Sequence, residues 1–577
     1  MYCRVIACDF DGTGATDGRL APELLAALEA ARMQGVARIL VTGRVLEEIE
    51  SACEQTLPFD AVVAENGAIV WLCRQQRTIQ LGEPPPDRFL GQLRARGVPF
   101  HTGTVIVGTW EHHTTQLLDL IRRFGLDGQL IFNRGALMLL PSGVNKAVGV
   151  RRALEELARS EHNLIAFGDA ENDIPLLLAA ELGVAARGAV ASVTAMADDH
   201  LSQPGGAGVA FYIRRLLSNG CTAPTPRRHR IAIGNTPDGD PVLFPASGVN
   251  MVISGDPRSG KSWLAGLLAE RLIERDYRLC VIDPEGDYLA LGQLGKVLTL
   301  GRELPLPAAA AIPKVLAHQR LSVVVNLSAL PLREQQKYVE ELLGALAAAR
   351  ETTGVPHWVL IDEAHYFFAD GGCSRQLSSR TGNFILATYR PSQLSDEVYA
   401  GVGAHAVTGS KIEDERYFLT KVLQACAPRE IDARAALAAV TPGRVGLLLQ
   451  DADGPRWQVF QPADRVTVHA HHGRKYADTR LPDEKAFRFL YNDEPLVAHN
   501  MLEFYKAIQK ASPASLRHHL LAGDFSRWIA GVLGDEQLAH GLRKLERMAP
   551  AGAIPDREEI LAHIDDYYLI GEEQEPG

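Results

Sequence analysis

Short apolar runs alternate with amphipathic stretches at helical spacing along most of the chain, and each apolar run gives way to a turn of glycine, acidic or hydroxyl residues. Val5 to Cys8 reads as a buried strand running into Asp9-Phe10-Asp11-Gly12-Thr13. Leu24, Leu25, Leu28 and Ala31 recur at helical spacing between Pro22 and Met33, with Gly35 where a C-cap falls. Ala37 to Val41 is a second strand, ending in Thr42-Gly43-Arg44, and Phe59 to Ala64 a third, ending in Glu65-Asn66-Gly67-Ala68. From about 75 to 140 the rhythm lapses into Pro84-Pro85-Pro86, a His-Thr-rich stretch and short β-like runs, the pattern of an inserted lid. It resumes with Gly143-Val144-Asn145-Lys146 opening a helix and with Leu164 to Gly168 delivering Asp169-Ala170-Glu171-Asn172-Asp173. Alternating strand and helix predicts an α/β domain over residues 1–217.

Residues 218–230 are polar, turn-rich and basic, which is linker composition. A second α/β domain is expected over 231–465, from a β-like lead-in at Ile231 to Phe244, a strand at Val249 to Ser254, a helix through Leu272, and strands ending at Asp283, Ile361 and Thr388. Beyond 466 the spacing is helical, with segments at Leu496 to Ile508, Pro513 to Leu521, Phe525 to Leu533, Glu536 to Leu545 and Arg557 to Leu569. Phe487, Phe489, Phe504, Tyr505, Phe525 and Trp528 are expected to form their core. Asp524 is expected to start a helix, and the pair His518-His519 to lie on the surface.

The turns carry the chemistry. If strand alternation continues past Asp9, then Asp9 and Asp11 face one pocket, where their repulsion calls for a divalent cation such as Mg²⁺. One carboxylate can attack phosphorus while the other moves protons. A plain helix cap is the alternative for this string taken alone. Thr42 Oγ and the N–H groups around Gly43 suit a phosphate, Lys146 sets an ammonium at a helix start, and Asp169 and Asp173 offer the cation further oxygens.

In the second half, Gly255-Asp256-Pro257-Arg258-Ser259-Gly260-Lys261-Ser262 stands between strand and helix with the spacing of a nucleotide phosphate loop. Its backbone N–H groups would cradle the phosphates of ATP, with Lys261 reaching the outer ones and Ser262 binding Mg²⁺. Asp362 would complete the Mg²⁺ shell and Glu363 polarise the attacking water. Arg390, after the third strand, is placed to sense a γ-phosphate. Arg390, Lys411 and Arg444 read either as fingers acting between subunits or as ordinary surface charges.

The 577 residues are 46% apolar, enough for several cores. A formal charge of −11 and pI near 5.9 exclude an overall electrostatic pull toward nucleic acid or anionic lipid. Eight cysteines without a Cys-x-x-Cys pair fit a reduced, cytoplasmic chain. With no leader and no long apolar run, neither export nor a membrane span is expected. His469, His471 and His472 read as a loop rather than a metal site.

The four N-terminal turns, in order and spacing, resemble a haloacid dehalogenase superfamily phosphatase of the Cof type, over residues 1 to about 217. The resemblance implies a Rossmann-like domain with a small α+β cap, Asp9 as a nucleophile forming an aspartyl-phosphate, and Asp11 as general acid/base. It further implies Thr42 and Lys146 as phosphate holders and Asp169 as a Mg²⁺ ligand with Asp173 in support. Residues 231–465 resemble the HerA/FtsK-like ATPases, with Tyr389 where that family usually carries glutamine. This implies a RecA-like domain and a homo-oligomer, such as a hexameric ring. The expected activity is hydrolysis of a phosphorylated small molecule or nucleotide at one centre and of ATP at the other, with the ATPase gating or assembling the phosphatase. The rivals are a nucleic-acid translocase whose phosphatase trims phosphate ends and an ATP-switched scaffold.

Overall fold

The structure, a computed structural model, describes residues 1–16, 18–52, 58–133, 135–302, 304–369, 383–428, 431–451, 454–467, 481–489, 496–533, 536–548 and 557–568. The histidines at 469, 471 and 472 lie outside the described residues. By its internal contacts the chain divides into one unit of residues 1–284 and 288–468, and a second of 285–287 and 469–577.

The first unit holds three main sheets. In the first, Val5–Asp9 is central, flanked by Leu164–Gly168 and Ala37–Val41. Leu182–Ala185 and Asp199–His200 extend it on one side, and Ala61–Ala64, Ile69–Leu72 and Arg77–Gln80 on the other. The strands from Asp199–His200 to Ala61–Ala64 run parallel, and the last two turn back antiparallel. Buried side chains cover both faces: Ile6, Cys8, Leu24 and Leu28 on one, Val5, Ala7, Val150 and Leu154 on the other. The order of the strands reverses at Val5–Asp9, the place where an open parallel sheet leaves a crevice at its carboxyl edge.

The expected lid is a four-stranded antiparallel sheet, Gly128–Asn133, Ala136–Pro141, Val107–Trp110 and His101–Thr102 in spatial order, backed by helices Asp87–Ala95 and Thr114–Phe124. It begins later than the apolar rhythm indicated. Arg77–Gln80, expected inside the lid, pairs with Ile69–Leu72 and finishes the main sheet, because its backbone completes a hairpin that a polar sequence does not advertise.

The eleven-stranded third sheet places Met251–Ser254 between Phe384–Thr388 and Ala404–Val407. Trp358–Ile361, Leu279–Asp283, Ser322–Asn326 and Val297–Leu300 continue it in parallel, while antiparallel strands from Val445–Asp451 to Pro241–Pro245 close the far side. Residues 218–230 are not a loose tether. The Arg228 guanidinium binds both Asp198 carboxylate oxygens at 2.8 Å and the Ala180 carbonyl at 2.6 Å, drawing the connection onto the first sheet.

In the second unit, helices Met501–Lys510, Pro513–Ala522, Asp524–Trp528, Glu536–Met548 and Arg557–Tyr568 enclose the six aromatics expected there. Two expectations are corrected. Leu496–Ala498 is a strand paired with Phe487–Phe489, not the start of a helix, since Asn500 caps the helix that follows. His519 is buried, its Nδ1 2.8 Å from Asp524 and its ring against Phe487, because the next helix doubles back over it. No helix among the described residues is long and apolar enough to cross a membrane, and the six described cysteines are free thiols.

Candidate active sites

At the carboxyl edge of the first sheet a cavity of about 290 Å³ is lined by Asp9, Asp11, Gly43, Arg44, Lys146 and Asp169, with the lid opposite. Lys146 lies fully buried at its base, its Nζ 2.6 Å from Asp9 Oδ1 and 2.6 Å from Asp173 Oδ1. Asp173 Oδ2 accepts the N–H groups of Asp169 and Ala170 at 2.9 and 3.1 Å. Both oxygens of Asp173 are thus taken by donors, so it orients Lys146 better than it could serve a cation. Burial, then the charges of Asp173 and Asp169, push the Asp9 carboxyl well up, with Lys146 opposing them.

Strand alternation does not bring Asp9 and Asp11 together. The strand ends at Asp9, and Asp11 sits in the following turn, bridged to Ala15. Both still reach the cavity, Asp9 buried and Asp11 exposed. Arg44 grips Asp11 with two hydrogen bonds of 2.8 and 2.6 Å. Thr42 is buried, and its Oγ accepts the Arg44 N–H at 3.1 Å.

The donor set fits a hard divalent cation. Asp9 and Asp169 offer it carboxylate oxygens, in a cluster with Asp173 whose oxygens lie within 4.8 Å of one another. Asp169 is oriented by Thr13 Oγ1 at 3.1 Å, and Gly12, at φ +79°, leaves room where a Cβ would meet Asp169 Oδ2 at 2.5 Å.

Glu65 ties the lid to the main sheet. It is fully buried and accepts three N–H bonds from the lid's connecting segment, Thr104 at 2.7 Å, Val105 at 2.8 Å and Ile106 at 2.9 Å. An acidic residue ending a buried strand before Asn-Gly was its one sequence signal.

In the third sheet, Gly255–Ser262 links Met251–Ser254 to the helix Lys261–Glu274. The Asp256 carboxylate accepts the Lys411 N–H at 2.6 Å, which ties the loop down. Lys261 Nζ donates to the Asp256 carbonyl at 3.0 Å, within the loop itself. Ser262 Oγ donates to Asp362 Oδ2 at 3.3 Å, while Asp362 Oδ1 is buried without a hydrogen bond among the described residues. That orphaned oxygen beside a hydroxyl fits a Mg²⁺ shell. Glu363, buried at φ +43°, has His365 Nδ1 3.5 Å away. Tyr389 lies over both neighbours, 4.6 Å from the His365 ring and 5.9 Å from Lys261 Nζ, and Arg390 is exposed beside it.

A Rossmann-like sheet whose switch point gathers a buried lysine and acidic side chains beneath a lid defines a hydrolase of the phosphoryl-transfer type, joined in this chain to a P-loop nucleotide fold. The chain belongs to the haloacid dehalogenase-like hydrolases, whose family model matches residues 6–82 and 120–213. Residues 258–348 match the central domain of the helicase HerA. Among curated proteins, the phosphoglycolate phosphatase of Methanothermobacter thermautotrophicus is 31% identical over 222 residues, 37% of this chain and 99% of that protein. Phosphoglycolate phosphatase 2 of Saccharolobus solfataricus is 28% identical over 193 residues, 31% of this chain and 77% of that protein. A solved haloacid dehalogenase-like hydrolase from B. subtilis aligns at 18% identity with a TM-score of 0.32, covering 37% of this chain and 99% of that one.

Proposed function

We propose that residues 1–217 are a Mg²⁺-dependent phosphomonoesterase for small phosphorylated acids of the phosphoglycolate kind, and that residues 231–465 hydrolyse ATP. The observation that carries this reading is Lys146, buried between Asp9 and Asp173 at 2.6 Å from each, with Asp169 in the same cluster. Asp9 attacks phosphorus and the P–O bond to the leaving group breaks, giving an aspartyl-phosphate. Asp11 delivers a proton to the leaving oxygen and then takes one from the water that opens the acyl phosphate, releasing inorganic phosphate and restoring Asp9. Lys146, Thr42 and the Gly43 N–H hold the non-reacting oxygens. Bound Mg²⁺ neutralises charge on phosphate and carboxylates; Asp9 and Asp169 would hold it at the first centre, Ser262 and Asp362 at the second. At the second centre Lys261 and the loop N–H groups hold the triphosphate, and Glu363 orients the attacking water. Residues 466–577 would form a separate helical domain.

The match to HerA favours a second reading, an oligomeric nucleic-acid machine whose phosphatase trims ends. One experiment separates the two: a phosphomonoester panel with Mg²⁺, containing phosphoglycolate, sugar phosphates and 3′- and 5′-phosphorylated oligonucleotides, with and without ATP. Turnover of small acids, lost in Asp9→Asn while ATP hydrolysis persists, supports the first. Turnover confined to oligonucleotides, with salt-sensitive binding, replaces it with the second, and phosphatase activity surviving Asp9→Asn removes the nucleophile.

A further inference from the structure

Resting on the phosphomonoesterase reading, we infer that His101, laid over Gly108 on the lid, recognises the carboxylate of the substrate. Cross-strand pairing aligns His101 with Gly108 and Gly108 with Met138, and sets Ala136 opposite Asn133. Strand alternation therefore puts His101, Gly108, Met138, Ala136 and Asn133 on one face, and all five line the cavity above Asp9. The face is mostly small or apolar, and its polar side chains are an imidazole and an amide.

Gly108 is glycine for reasons of space. A Cβ there would lie 2.2 Å from His101 Cε1 and 2.3 Å from Nε2, so the ring occupies the volume a side chain would need. The strand exposes no bulk at 108, and the imidazole folds flat across the sheet toward the cavity. Among the described residues lining the cavity, Arg44 is paired with Asp11, and Lys146 with Asp9 and Asp173. Seen from the lid, the far end of a substrate meets an imidazole and an amide, each able to donate an N–H to an anion, while the Glu48 carboxylate that also lines the cavity belongs to the main domain and is exposed. A cavity of about 290 Å³ fits a two-carbon acid carrying one phosphate.

The test compares kcat/KM for 2-phosphoglycolate and 2-hydroxyethyl phosphate, which differ by carboxylate against hydroxymethyl, in wild type, His101→Ala and Gly108→Ala. Wild type should prefer the acid, and His101→Ala should reduce the ratio of the two values roughly tenfold or more, the worth of one hydrogen bond to a charged group. Gly108→Ala keeps the imidazole but displaces it, and should reduce the ratio in the same direction. A ratio that stays at the wild-type value in both variants, or a loss equal for both esters, overturns the inference. Wild type that hydrolyses both esters without preference also overturns it and leaves the phosphatase reading standing; wild type that hydrolyses neither, nor p-nitrophenyl phosphate, removes both.

Discussion

Glu181 offers a sharp test of how the two enzymatic sheets are joined. It is fully buried where the first sheet meets the third. The Tyr277 hydroxyl lies 2.9 Å from both its oxygens, Ser247 Oγ 2.9 Å from one and His162 Nδ1 2.8 Å from the other. Burial alone would raise its carboxyl, but His162, then His229 and Tyr277, outweigh burial and hold it at about 2 against an ordinary 4.5. At about 1.4 kcal/mol for each pH unit, the charged form contributes about 3 kcal/mol to the folded state. Since the folded group binds its proton more weakly than the unfolded one, this stabilisation is complete above pH 4.5 and fades as pH falls from there toward 2. Glu181→Gln removes the charge and turns an amide N–H₂ toward groups that donate. Denaturant unfolding of wild type and variant at pH 7 should differ by about 3 kcal/mol, with the gap shrinking below pH 4.5. A difference under about 1 kcal/mol at pH 7, or a gap that stays constant through the acid range, would refute the assignment. Because the strands leading to Asp169 and to Asp362 both start beside this junction, at Leu164 and Trp358, a gated phosphatase should also lose its response to ATP in the variant.

Two further outcomes are expected. Glu363→Gln should slow ATP turnover by roughly a hundredfold or more while leaving ATP binding in place, whereas Lys261→Ala should lose binding; phosphate release and nucleotide titration distinguish them, and undiminished turnover in Glu363→Gln would refute the base. Glu65→Ala leaves the N–H groups of Thr104, Val105 and Ile106 without their acceptor, at a cost of about 2–4 kcal/mol; hydrogen exchange at those three amides should accelerate, and unchanged exchange would show that the lid is anchored elsewhere.

The strand-to-turn signals at Asp9, Thr42, Asp169, Lys261 and Asp362 were legible because each is local: an apolar run sets the strand, and the next few residues decide what its end presents. Where local spacing misleads, the cause is equally physical. Asp11 reaches the cavity from a turn rather than from strand alternation, and Arg77–Gln80 joins the main sheet through a polar hairpin with no apolar signature. His519 is buried by a helix that returns over it.

By itself the sequence determined that the chain carries two α/β phosphate-handling folds, and it named most of the side chains at their switch points. Tertiary structure alone decided what those side chains touch. Lys146 bridges Asp9 and Asp173 although 137 residues separate it from Asp9. Glu65 reaches the lid, Glu181 joins the two sheets, and His101 lies where Gly108 leaves space. Such contacts depend on strand register and on which surfaces meet, quantities that no local spacing encodes.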